Sequence, residues 1–145
     1  MNDFVRGWFD RGKNEERGSI FQFFCYFIAF NYLYDRYTKP DREKVKTLVK
    51  NEIISLFPVN KASAILKDDA AFYDEPERLN RGERAVNKLT SDALLEEVFL
   101  NIYQVRCNLF HGSKAMDTQR DHRLVYTSAV TLEIFLEKWL DKARY

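Results

Sequence analysis

Leu95-Glu96-Glu97-Val98-Phe99-Leu100-Asn101-Ile102-Tyr103-Gln104-Val105-Arg106-Cys107-Asn108-Leu109-Phe110-His111-Gly112 is the stretch that decides the fold class. Leu95, Val98, Ile102, Val105 and Leu109 recur at spacings of three and four, the period of one helix face. Gly112 stands where a residue of left-handed conformation closes a helix. Arg106 therefore falls in the penultimate turn and His111 at the end. Thr90-Ser91-Asp92 supplies side-chain oxygens ahead of the helix and is expected to cap it.

The same spacing rule reads the rest of the chain. Ser19 is a candidate N-cap for a helix running to about Tyr37. That helix is apolar almost all round, with Phe21, Phe24, Phe27, Ile28 and Leu33 on one side and Phe23, Tyr26, Phe30 and Tyr34 on others. A helix apolar on every face is buried on every face, so it is expected at the centre or under a second subunit. Asp41 is a candidate cap for a further helix carrying Val45, Leu48, Val49, Ile53 and Leu56, which Pro58 ends. Thr118 and Asp121 have the spacing of a capping box before a last helix with Val125, Ala129, Leu132, Leu136 and Trp139 inward.

Between Pro58 and Thr90 the pattern is weak. Ala62, Ile65 and Leu66 predict a short helix, and Asn80-Arg81-Gly82 a turn. Arg78, Arg81, Arg84 and Lys88 form a small basic cluster, which reads as a solvated face or as a track for a phosphate backbone. Residues 1–18 are polar and charged, with three glycines; Val5, Trp8 and Phe9 are candidates to pack an entry turn, and the alternative is a loosely ordered arm with a short helix. The expectation is an all-α protein: an arm over 1–18, then one domain over 19–145, a helical bundle of four main helices plus one or two short ones.

Composition narrows the function classes. Twenty-three basic residues nearly balance 22 acidic ones, so no global field draws in nucleic acid and any footprint must be local. Cys25 and Cys107 lie far apart without metal-binding spacing, and read as buried thiols in a reducing compartment. His111 and His122 are the two histidines, and no HExxH motif or phosphate-cradling glycine loop occurs. Neither a metal nor a cofactor is expected. The eight-residue apolar run Phe23–Phe30 is too short to span a bilayer, and the expected location is the cytoplasm.

Arg106 and His111 carry the chemistry. Five residues along a helix turn the direction by about 140° and advance about 7.5 Å, so the two do not share a face. They meet one phosphate if the arginine sweeps round the helix end, or if two copies of the segment face each other across a two-fold axis. Metal-free RNA scission needs groups to move protons and a cation for the charge that develops on phosphorus. His111 titrates in the right range, and the helix C-terminus favours its protonated form. Arg106 offers a planar, permanently charged fork. Asn108 and Cys107, one turn before His111, are candidates to orient it, and Lys114 to add a phosphate contact. A histidine before a helix-closing glycine also serves simply to cap carbonyls, so spacing alone leaves both readings open.

The segment Val105–Lys114 resembles the HEPN superfamily, marked by arginine, four to six residues, then histidine. Phe27-Ile28-Ala29-Phe30-Asn31-Tyr32-Leu33-Tyr34 is similar to the first long helix of its Apea-like branch, and Arg120-Asp121 fits the start of the last helix. The likeness covers roughly residues 19–142, with little of it in 58–90. It implies a helical bundle that dimerises with both motifs at the interface. It implies a metal-independent endoribonuclease acting on single-stranded RNA, of the toxin–antitoxin or phage-defence kind, with a cognate antitoxin or defence partner. Arg106 and His111 would then be the catalytic pair. A polar residue, often Asn, commonly follows the family's arginine, and here Cys107 does. Some relatives are inactive and act as binding or assembly modules, and the alternative for this chain is a catalytically inactive helical module that binds nucleotide, RNA or a partner protein.

Overall fold

The computed structural model describes residues 2–74, 86–110 and 119–143. The chain is an all-α helical bundle, and no strand occurs among the described residues. Its elements are α1 (Asn2–Lys13), α2 (Ile20–Tyr34), α3 (Asp41–Leu48), α4 (Ala71–Asp74), α5 (Leu95–Phe110) and α6 (Gln119–Ala143). The α3 rod continues through a π turn, Val49–Ile53, and a 3-10 turn, Ile54–Leu56; a second 3-10 turn spans Ala62–Ala64.

The four main helices expected from periodicity are α2, α3, α5 and α6. Ser19 caps α2 as expected, its Oγ accepting from Gln22 N at 3.2 Å. The stripes on α5 and α6 face inward: Leu95, Val98, Ile102 and Val105 are buried, as are Val125, Ala129, Leu132, Leu136 and Trp139. At the centre, Phe30 of α2 lies within 6.1 Å, centroid to centroid, of Phe99 on α5 and Phe135 on α6. Those two rings meet each other edge-on at 5.5 Å. One aromatic cluster thus joins three helices.

Other elements differ from the sequence expectation. Residues 2–13 are no loose arm: α1 packs against α2 and α6, with Val5 and Phe9 in the core. The helix closes tightly on α2 at Gly12, where a Cβ would lie 2.5 Å from the Tyr26 ring. Asp41 does not cap α3. Pro40 holds the cap position without a side-chain bond, and Asp41 takes the Tyr103 hydroxyl at 3.3 Å instead. Nor does Thr90-Ser91-Asp92 cap α5. Leu95 N donates to Asn60 Oδ1 at 3.3 Å, and Leu94 N donates to Glu97 Oε2 at 2.9 Å. The first donors of α5 are thus met partly from 35 residues upstream.

Glu52, in the π turn, gathers three donors. Its carboxylate takes the Arg36 guanidinium, the Tyr37 hydroxyl at 2.8 Å and Trp139 Nε1 at 3.1 Å. It ties the α2–α3 connection to the far end of α6. A hydrogen bond to a charged group contributes about 1.5–3 kcal/mol. Glu52→Gln keeps the shape and removes the charge, and is expected to cost about 1–3 kcal/mol in urea denaturation. No change in the unfolding midpoint would show the hub to be ornamental.

Asn101, buried on α5, clasps Asn87 by accepting from its N at 3.0 Å and donating to its O at 2.8 Å. Leu89 N donates to Phe72 O at 2.8 Å. The chain after residue 85 is thereby fastened to α5 and α4. The turn expected at Asn80–Gly82 and three of the four basic residues, Arg78, Arg81 and Arg84, lie outside the described residues; Lys88 is exposed.

α2 is not buried on every face. Phe21 is 65% exposed, Ile28 is exposed, and Phe24 and Tyr32 are half-buried. These four share one side of the helix and form a continuous apolar stripe. Phe110 of α5 extends it at one end by stacking on Phe24 at 5.2 Å, and Phe4 of α1 at the other by stacking on Tyr32 at 4.3 Å.

Candidate functional site

Arg106 projects from α5 toward α2, beside this stripe. Its guanidinium lies 4.7 Å from the Phe110 ring centroid and 5.9 Å from that of Phe27. Phe110 is one helical turn on, so the contact belongs to α5 itself. The stack continues outward through Phe24. Arg106 is half-buried, and among the described residues no carboxylate pairs with it. A guanidinium held over aromatic rings keeps its full charge, and its N–H groups can serve an anion.

Asn108 lies on the other side of α5. It is buried and accepts from Gln104 Nε2 at 2.8 Å. Gln104 Oε1 in turn accepts from Arg42 Nη1 of α3 at 3.0 Å, and the Arg42 guanidinium sits 5.8 Å over the Tyr103 ring. Two residues along a helix turn by about 200°, which separates Asn108 from Arg106. Cys107 is half-buried with its thiol near the Tyr103 hydroxyl. Burial pushes the phenols of Tyr34 and Tyr103 up, so both remain protonated donors at neutral pH. Burial also pushes the Cys25 thiol up, as suits a packed rather than reactive cysteine.

His111, Gly112, expected to close α5, and Lys114 lie outside the described residues, as does Thr118 before α6. Of the candidate site residues, the structure thus places Arg106, Cys107 and Asn108, with Arg106 apart from the other two. His122 is exposed. Among the described residues no group of three or more His, Cys, Asp or Glu side chains could hold a metal, and no helix is long and apolar enough to cross a membrane.

Periodicity did not single out Phe110, Gln104 or Arg42. For the first two a signal was present, since each stands four residues from a candidate, Phe110 from Arg106 and Gln104 from Asn108. The part of Arg42 comes from the packing of α3 on α5, which no local spacing encodes. In comparisons with known proteins, no family model matches the chain, and no curated protein or solved structure is significantly similar to it.

Proposed function

We propose that this chain is a metal-independent endoribonuclease of the HEPN kind, working as a homodimer on single-stranded RNA in the cytoplasm, in a toxin or phage-defence setting with a cognate partner. The observation that carries the reading is Arg106: a guanidinium over the Phe110 ring, without a carboxylate among the described residues, five positions before His111 in the sequence. The ribose 2′-oxygen attacks phosphorus and the bond to the 5′-oxygen breaks. One proton leaves the 2′-hydroxyl, one reaches the departing oxygen, and the product is a 2′,3′-cyclic phosphate. His111 moves protons, and Arg106 neutralises the charge on the phosphoryl oxygens. Two subunits bring two imidazoles, enough for one base and one acid.

Support for the dimer comes from the stripe of Phe21, Phe24 and Ile28, which continues onto Phe110 and so reaches Arg106. Contiguous exposed apolar surface marks an interaction face. Phe21→Glu is expected to turn a dimer into a folded monomer by sedimentation velocity and to abolish cleavage with it. A wild-type monomer at micromolar concentration would remove the shared site.

The reading is tested with purified protein and single-stranded RNA in EDTA, following the cyclic phosphate end in wild type, His111→Ala and Arg106→Ala. Cleavage that is equal in all three would exclude this site. One observation favours a second reading, a non-catalytic module that binds nucleotide, RNA or a partner protein. Asn108, a candidate to orient His111, is already engaged by Gln104 on the side away from Arg106. Salt-dependent RNA affinity without turnover would establish that reading instead.

A further inference from the structure

A cavity of about 360 Å³ lies between α6 and the segment that leads from the Ala62–Ala64 turn to α4. It is separate from the Arg106 stack. Its walls are apolar where Leu66, Val130 and Ile134 line it, and charged where the cations Arg17, Lys67 and Arg123 and the carboxylates Asp69 and Glu133 do. The volume falls in the range of about 300–1,000 Å³ typical of small-ligand sites.

Tyr126 also lines the cavity and is held in place from two sides. Gly18 has φ +73°, and a Cβ there would collide with the Tyr126 ring. The glycine lets the backbone lie directly against the aromatic face. Arg17 Nε donates to the Tyr126 hydroxyl at 3.4 Å, and this bond raises the arginine's pKa further. The ring nevertheless stays 45% exposed, an unusual state for a side chain so closely constrained.

We propose that this cavity binds one nucleotide unit, its base against Tyr126 and its phosphate at Arg17 and Arg123, as a free nucleoside monophosphate or as part of an RNA strand. Stacking of a base on an aromatic side chain contributes about 1–3 kcal/mol, and a guanidinium matches phosphate geometry. The carboxylates nearby do not block this. Arg17, 62% exposed, pairs with Glu133 at 3.4 Å, and Arg123, half-buried, pairs with Asp74 at 3.0 Å. An ion pair whose guanidinium is open to solvent contributes about 0–1 kcal/mol, so Arg17 turns to a phosphate at little cost. Glu133 keeps Lys13, at 3.7 Å, when Arg17 leaves. The proposal does not depend on cleavage at Arg106.

Calorimetric titration of the full chain tests it, with 5′-AMP, adenosine, inorganic phosphate and a non-cleavable 2′-O-methyl RNA hexamer as probes. The expected result is saturable binding of AMP, of the hexamer, or of both, at least tenfold tighter than phosphate or adenosine. Binding of the hexamer but not AMP identifies a strand as the source; binding of AMP identifies a free nucleotide. Tyr126→Leu, Arg17→Gln and Arg123→Gln should each weaken AMP binding at least fivefold, and hexamer binding is assigned to the cavity only where the same variants weaken it. Thermal unfolding checks the variants, and Arg17→Gln and Arg123→Gln carry the test if Tyr126→Leu fails to fold. No binding of either nucleotide probe, AMP and hexamer both no tighter than phosphate, or affinities indifferent to all folded cavity variants would overturn the proposal. Absence of RNA cleavage by wild type, with nucleotide binding intact, would defeat the nuclease reading and leave this one standing.

Discussion

Replacing Arg106 with alanine is expected to lower RNA cleavage by at least about a hundredfold, the loss that follows when one donor to a developing charge is removed. The fold should survive it. The guanidinium rests on Phe110 and Phe27 and pairs with no carboxylate among the described residues, so its removal strands no buried counter-charge. What is lost is a cation–π contact, about 0.5–1 kcal/mol at a partly exposed position. Activity and stability should therefore separate cleanly. Arg106→Lys should restore little, because an ammonium offers neither the planar fork nor the flat face that stacks on Phe110. His111→Ala should fall as far, and the double variant no further, since groups that act as a unit do not add. A folded Arg106→Ala protein that cuts at the wild-type rate would end the proposal.

Phe30→Ala is the counterpart in the core, with an expected cost of about 3–5 kcal/mol. Phe30 is fully buried and lies against Phe27, Tyr34, Phe99 and Phe135. Truncation leaves a cavity where α2, α5 and α6 meet, and those helices relax only partly into it. A domain of ordinary stability has about 5–15 kcal/mol in total, so the variant should sit close to unfolding at 37 °C. Phe21→Ala, nine positions earlier on the same helix, should change monomer stability by less than about 0.5 kcal/mol, as surface substitutions do. Urea denaturation of the two variants measures the contrast. Similar midpoints would mean that the ring cluster is not what joins the three helices.

The same pair of phenylalanines shows how far the sequence could be read. Helical period identified α2, α5 and α6, and it placed the inward stripes on α5 and α6 correctly. It also placed the Ser19 cap, because that bond spans three residues. On α2 the period carried no contrast: with aromatics all round, nothing local distinguished Phe30 in the core from Phe21 on the surface. In the first eighteen residues Val5, Trp8 and Phe9 read as packing an entry turn, but nothing local announced a helix over Asn2–Lys13 docked on α2. At the candidate site, the spacing of Arg106 and His111 and the chemistry of the two side chains were legible, as was the turn that brings Phe110 under Arg106.

The sequence by itself determined an all-helical chain, with helices over the regions of α2, α3, α5 and α6, and an arginine near the end of one of them. Each of these follows from side chains within one or two turns, where the repeat of the helix fixes who is a neighbour. Tertiary structure alone decided that Asn60 rather than Thr90-Ser91-Asp92 serves α5, that Asn108 turns inward through Gln104 to Arg42, and that one side of α2 stays uncovered. Those outcomes are set by competition among distant groups for the same donors and the same apolar surface. That competition is resolved only when the helices pack.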